Sequence, residues 1–212
     1  MNKKIAGVIL AGGKGMRLGG VLKANLKIGG MSLLQRAKNS LELTNSARIV
    51  SIGAASQKSF DLTPNWVAVK DFSEGEIIQK GPLAGIAAAI DYLLQNDRQA
   101  DFLMSLAVDS VFFPSNFYNL ALEQLDEKTD VVIAKHKRQI YPTNALWRIN
   151  AIKDLPQRFE EISAQGIKGM LKSMNVVEME INSDDGGDPS QNVNEIGDII
   201  ACGERIKKKK AL

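Results

Sequence analysis

A chain of 212 residues, 44% hydrophobic and 24% charged, has the length and composition of one globular domain whose core needs no covalent staples. A single cysteine, Cys202, excludes a disulfide framework or a thiolate metal cluster within the chain and makes a reducing compartment the expectation. The net charge of +3 sits largely in four consecutive lysines at 207–210; removing those four charges leaves −1, so a broad nucleic-acid-binding face is not indicated and the run reads as a solvated helix end.

Taken in chain order, residues 5–10 form an apolar run ended by Gly12 and Gly13, which predicts a buried strand. Lys3 and Lys4 precede it in the manner of a secretion signal. The run is short, however, Lys14 and Arg17 follow it, and no small-residue cleavage site is evident, so the expectation is a cytoplasmic protein. No stretch approaches the roughly 20 apolar residues that span a membrane. A loop with five glycines between Gly12 and Gly20 comes next. The spacing of Leu33, Leu34, Ala37 and Leu41 predicts a helix over 32–43 with Ser32 near its cap. Strands are predicted at 48–55 and 66–69, and a polar loop at 71–80. Gly81 and Pro82 then open an alanine-rich helix to about Asn96, since proline in a first helical turn forfeits no hydrogen bond. Residues 102–108 read as a central strand ending at Asp109. A helix follows from Pro114 to about Leu125, then strands at 131–134 and 141–147, a helix at 162–174, a strand at 176–181 and a last helix at 196–207. The alternation, with two strands apolar throughout, predicts a single α/β domain over 1–212: three layers, a mostly parallel sheet covered on both faces, and a basic tail at 205–212.

Ligands of such sheets sit at the carboxyl ends of the strands, where the glycine loop, Asp71 and Asp109 all fall. The loop's glycines permit positive φ and close approach of backbone N–H groups to phosphate, and Lys14, Arg17 and Lys23 add charge to the same stretch. It is not a P-loop, because the chain contains no Gly-Lys-Ser or Gly-Lys-Thr, and it is not a dinucleotide fingerprint, because position 18 is leucine.

The segment Leu10-Ala-Gly-Gly-Lys-Gly-Met-Arg-Leu-Gly-Gly20, followed by Lys23, resembles the signature of sugar-nucleotide-type nucleotidyltransferases, and within them the molybdenum cofactor guanylyltransferase (MobA) family. Gly81-Pro-Leu-Ala-Gly85 matches that family's helix-opening motif. Val108-Asp109-Ser-Val-Phe-Phe-Pro114 resembles its metal-binding segment, Tyr141-Pro142 with Ala145-Leu-Trp147 its His-Pro and Ala-Leu-Trp, and Asn192-Val-Asn194 its Asn-Val-Asn. These matches span nearly the whole chain.

The resemblance implies a Rossmann-like domain of the nucleotide-diphospho-sugar transferase type, and transfer of GMP from GTP to the phosphate of molybdopterin with release of pyrophosphate. It implies that Leu10, Ala11, Gly12, Gly13, Asp71, Gly81, Leu83 and Gly85 hold the nucleotide. Lys23 and Arg17 act on its phosphates, and Asp109 carries Mg²⁺. Lys168, Asn192 and Asn194 face the pterin substrate. Contact with the molybdenum enzymes or insertases that receive the product is a further expectation, with neither nucleic acid nor membrane as a partner. Several positions depart from the family: Leu22, Ala24, Val108, Val111 and Tyr141 replace its Asp, Gly, Cys, Pro and His, Lys168 replaces an arginine, and Glu195-Ile-Gly follows where Thr-Pro-Glu is usual. Its base-reading asparagine has no counterpart at 50–54. The departures leave two alternatives: cytidylyl transfer to a pterin or other phosphate, and a catalytically weak nucleotide-binding regulatory module.

The chemistry itself suits this composition. The nucleophile is already an ionised phosphate, so positioning and charge neutralisation matter more than a strong general base. The lone histidine, His136, lies in a basic stretch and reads as a solvated loop residue; Asp184, Asp185 and Asp188 read as a solvated turn, and Cys202 as inert packing.

Overall fold

A computed structural model describes residues 3–15, 18–74, 77–78, 81–183, 187–189 and 191–210. In chain order the main elements are β1 (Ile5–Leu10), α1 (Leu33–Ser40), β2 (Arg48–Ser51), β3 (Val67–Val69), α2 (Pro82–Asn96), β4 (Phe102–Ala107) and α3 (Phe117–Glu123). They continue with β5 (Val131–His136), β6 (Gln139–Arg148), α4 (Ile149–Ile152), α5 (Phe159–Ser163), α6 (Gly166–Leu171), β7 (Val176–Glu180) and α7 (Ile196–Lys210). The strands form one sheet in the order β7-β5-β6-β4-β1-β2-β3. Pairing is parallel except where β6 runs antiparallel between β4 and β5. The expectation of a mostly parallel, doubly covered sheet is met.

The apolar run of β1 is buried on both faces, and its side chains divide by parity. Ile5 and Ile9 join one core with Leu33, Leu41, Phe117, Tyr118 and Cys202, under α1, α3 and α7. Ala6 and Val8 join the other with Ile86, Ile90, Leu93 and Trp147, under α2. Burying Ile86, Ile90 and Leu93 contributes about 1.5–3 kcal/mol each. Ser105, the one polar residue in β4, has its side-chain hydroxyl accept from Trp147 Nε1 at 2.8 Å, while its backbone carbonyl accepts from Tyr118 Oη at 2.7 Å.

Local signals act as expected at two helix starts. Ser32 Oγ accepts the Gln35 N–H at 3.1 Å, capping α1. Gly81, at φ +98°, precedes Pro82 and turns the chain into α2. Other expectations are corrected. The helix predicted over 162–174 is two short helices, because Gly166 takes φ +65° between them and breaks the ladder. The helix after Pro114 starts only at Phe117, whose N–H closes a turn on the Pro114 carbonyl at 3.2 Å. The second strand stops at Ser51, the polar loop at 71–80 contains a small hairpin of Ser73–Glu74 with Ile77–Ile78, and α7 carries the basic run on to Lys210. Among the described residues no helix is long and apolar enough to cross a membrane.

Gly85 lets α2 lie close to the sheet: a Cβ there would stand 2.6 Å from Ser51 Oγ and 2.8 Å from Leu10 Cδ2. At Gly203 in α7 a Cβ would meet nothing within 4 Å. Alanine gains about 1 kcal/mol over glycine in a helix, but overpacking costs about 1–3 kcal/mol. Urea unfolding should therefore show Gly85→Ala destabilised by about 1 kcal/mol or more and Gly203→Ala stabilised by up to about 1 kcal/mol.

Candidate active site

Strand β1 lies between β2 and β4, and the chain leaves its carboxyl end toward β2 and later crosses to β4, so a crevice opens where the order reverses. After β1, the Ala11 N–H bonds to the Ser51 carbonyl at 2.8 Å, and Gly12 then meets Gly53. A Cβ on Gly12 would be 2.6 Å from the Gly53 backbone, and one on Gly53 would be 2.9 Å from that of Gly12. Two loops touch here through backbone alone.

The glycine loop folds back as a short hairpin, Lys14–Gly15 against Val21–Leu22, with Gly19 and Gly20 at φ +75° and +77°. A 3-10 turn over Lys23–Asn25 follows, tied by the Leu26 N–H to the Lys23 carbonyl at 3.0 Å. Ala24 is fully buried in the core and Leu22 packs against it. Two of the departures from the family pattern thus serve as apolar anchors on either side of Lys23. Val108 and Val111 are likewise buried, on either side of Asp109.

Lys23 joins three distant segments. Its Nζ donates to Asp109 Oδ2 at 2.8 Å and to Asn194 Oδ1 at 2.8 Å. The Lys23 and Asp109 side chains are only 13% and 16% exposed, so solvent screens this pair less than a surface salt bridge. Asp109 stands in the turn that closes β4, where the Val108 N–H bonds to the Leu10 carbonyl at 3.2 Å and the Ser110 N–H to the Ala107 carbonyl at 3.2 Å. Asn192 bridges Ser110 in antiparallel fashion and accepts its hydroxyl at 3.3 Å. Val193 is fully buried, and the N–H groups of Asn194 and Glu195 bond to Asp198 Oδ2 at 2.7 and 2.9 Å, fixing the entry to α7.

Among the described residues no three His, Cys, Asp or Glu side chains gather to hold a metal. One carboxylate with an oxygen to spare does occur: Oδ2 of Asp109 is taken by Lys23, and Oδ1 receives no hydrogen bond from the described residues. That donor set fits a hard cation brought in on phosphates, which needs only one or two protein carboxylates.

Asp71 follows β3 on the far side of the crevice. Its Oδ1 accepts from Ser51 Oγ and from the Gly53 N–H at 3.0 Å. Burial pushes its pKa up, and the bonds from Ser51 and Gly53 oppose that rise. Leu10, Ala11, Gly12, Gly13 and Gly81 lie at this edge, whereas Leu83 is buried in the core and Gly85 seats α2. Lys168 is exposed on α6 and takes no part in the hydrogen bonds around Lys23. Arg17, Asp184 and Asp185 lie outside the described residues; Asp188 is exposed and its carbonyl accepts from Arg205 Nη1 at 2.7 Å. His136 is corrected: it ends β5 rather than lying in a loop, its side chain is 13% exposed, and its Nδ1 is 3.0 Å from the Ile181 carbonyl oxygen. Cys202 is buried, as expected. Sequence reading missed Ser51 and Ser110, whose only signal was a small polar residue at the end of an apolar strand.

The raised pKa of Asp71 has a consequence for stability. The folded state holds this proton more tightly than the unfolded chain, so stability falls as pH rises from the ordinary value of 3.8 through the raised one. Asp71→Asn keeps an oxygen for Ser51 and Gly53 and removes the titration. Thermal melting across this range should show the variant gaining on the wild type as pH rises toward neutrality; a constant difference would remove burial as the cause.

Residues 7–178 match the profile of the MobA-like NTP transferase domain. A protein of Rhizobium rhizogenes named molybdenum cofactor guanylyltransferase is 28% identical over 69% of this chain, and one of the same name from Nitrobacter hamburgensis is 31% identical over 70%. The chain spans about two thirds of these relatives' own length, 65% and 69% respectively. Among solved structures, molybdopterin-guanine dinucleotide biosynthesis protein A of Archaeoglobus fulgidus superposes with a TM-score of 0.68 at 21% identity, covering 96% of this chain and 99% of that one. The 4-diphosphocytidyl-2C-methyl-D-erythritol synthase of Anaerococcus prevotii superposes with a TM-score of 0.70 at 13% identity, covering 97% and 96%, and shows the same fold. The extent of the profile match, together with the Nitrobacter relative, shows that the chain belongs to the MobA-like NTP transferase domain family.

Proposed function

We propose that the chain is a nucleotidyltransferase of molybdenum cofactor biosynthesis, which transfers GMP from GTP to the phosphate of molybdopterin. The observation that carries this reading is the Lys23 ammonium held at 2.8 Å from both the Asp109 carboxylate and Asn194. One cation, one carboxylate and one carboxamide from three segments meet at the mouth of the crevice, where a triphosphate and an acceptor phosphate have to meet.

In the reaction, an oxygen of the acceptor phosphate attacks the α-phosphorus, forming a new P–O bond. The bond from that phosphorus to the bridging oxygen of the β-phosphate breaks, and pyrophosphate leaves with the electron pair. No proton needs to be removed from the nucleophile. Backbone at Leu10, Ala11, Gly12 and Gly13 lies where it can bind the nucleotide, and Gly12 and Gly53 give the base a floor without side chains. Asp71 faces it from β3. Lys23 turns from its resting partners to the phosphates and offsets charge gathering on them. Asp109, freed of Lys23, offers a carboxylate to Mg²⁺. When bound there, Mg²⁺ supplies neutralisation of phosphate charge. Asn192 and Asn194 stand on the acceptor side, and the molybdenum enzymes or insertases receiving the product are the expected transient partners.

Calorimetric titration with GTP, CTP and ATP, with and without Mg²⁺, tests the reading on wild type and Asp109→Ala. The expected result is Mg²⁺-dependent binding of GTP in preference to the others, weakened in the variant. Preference for CTP assigns cytidylyl transfer instead, and binding that ignores both Mg²⁺ and Asp109 leaves a nucleotide-binding module without the chemistry. In a transfer assay Lys23→Met should lower kcat by about 10²–10³-fold, the loss typical when one donor to transition-state charge is removed; an unchanged kcat would leave Lys23 a structural tie.

A further inference from the structure

We infer that Asn144 and Ser110 are positioning residues of this site, a buried relay that sets Asp109 and the Asn192–Asn194 segment in register with each other. The inference rests on the reading of Asp109 as the metal carboxylate.

It begins with an irregularity in β6. This strand pairs with β5 in regular order until Ala145 opposite Ile133, but the next residue of β5, Ala134, pairs with Tyr141. Pro142, Thr143 and Asn144 therefore bulge out of that ladder. Proline has no N–H to give to a ladder, and bulges redirect side chains next to functional sites. Pairing of β6 with β4 also stops at Ala145 opposite Ser105. The last N–H of β4, at Ala107, is left without a strand partner on that side, and the Asn144 side chain takes it: Oδ1 accepts at 3.0 Å.

Asn144 is 1% exposed, so its amide has no water to fall back on. Its orientation is fixed, since only the carbonyl oxygen can accept an N–H. Thr143 Oγ1 is also 3.3 Å from that oxygen. The Nδ2 group then donates to Ser110 Oγ at 3.0 Å, and the Ser110 hydroxyl donates onward to Asn192 Oδ1 at 3.3 Å. The backbone follows the same path, with the Val111 N–H reaching the Gln191 carbonyl at 3.4 Å. One carboxamide thus holds the residue two before Asp109 and the residue just after it. Through Ser110 it reaches the segment that carries Asn194. The far end closes through Lys23, which binds Asp109 and Asn194 together. The ring leaves the carbonyl of Asn192 facing Ser110 and its NH₂ group free of that bond, as a donor for an anionic or carbonyl-bearing acceptor.

The test is the affinity for Mn²⁺ at saturating GTP, titrated by electron paramagnetic resonance, on Ser110→Ala, Ser110→Thr, Asn144→Ala and the double alanine variant. Asp109→Asn serves as reference and thermal melting is recorded in parallel. Residues that orient a metal ligand typically cost about 10–100-fold in metal affinity when removed. Ser110→Ala and Asn144→Ala should each weaken Mn²⁺ by about tenfold or more, the double variant no further than the worse single one, and Ser110→Thr, which keeps the hydroxyl, should stay near wild type. Melting temperatures that fall while Mn²⁺ affinity holds, with Asp109→Asn still weakening it, overturn the inference and leave the metal reading standing. Mn²⁺ affinity indifferent to Asp109→Asn overturns the metal reading, and the inference with it. Ser110→Ala separates the two roles if Asn144→Ala fails to fold, because it leaves the Ala107 N–H paired.

Discussion

The bond between the Lys23 ammonium and the Asp109 carboxylate is the constraint around which the site is arranged. It ties the loop after the first strand to the turn after the central one, across 86 residues of chain, and a second bond from the same ammonium brings in Asn194 from 171 residues away. A charge pair so little exposed carries a desolvation cost that only good geometry offsets. The core provides that geometry: Leu22 and Ala24 anchor one partner, Val108 and Val111 the other. The apolar replacements in the family pattern and the polar contact they flank are parts of one arrangement.

That arrangement depends on the sheet. Parallel pairing of β1 with both β2 and β4 brings three strand ends to one edge, and each supplies a different part of the candidate site: backbone and glycine after β1, Ser51 at the end of β2 with Gly53 beyond it, Asp109 after β4. The antiparallel β6 contributes from the opposite direction, its bulge placing Asn144 at the same edge.

Features governed by local chemistry were legible in the sequence. The two apolar runs at β1 and β4, the cap at Ser32, and the Gly81-Pro82 start of α2 each depend on residues close together in the chain. Lys23 and Asp109 were legible as members of motifs, though nothing local announces that they touch. What stayed hidden depends on distant partners. Ser51 matters because of Asp71, 20 residues on, and Asn144 because of Ala107 and Ser110, 37 and 34 residues back. The break between α5 and α6 was hidden for a different reason: an apolar helical period continues across it, while one glycine adopts a conformation that only the fold selects. His136 shows the same limit, since its charged neighbours suggested a loop and the carbonyl of Ile181, 45 residues ahead, gives it a partner.

The contact between Gly12 and Gly53 bears on how this site can change. Each glycine occupies the space the other's side chain would need, so any side chain at one position requires the backbone at the other to move first. A single substitution at either position meets backbone, so a side chain introduced here demands a concerted shift of two loops. Under the proposed function, base preference is therefore more open to drift around Asp71 and Ser51, where side chains already stand, than at the two glycines.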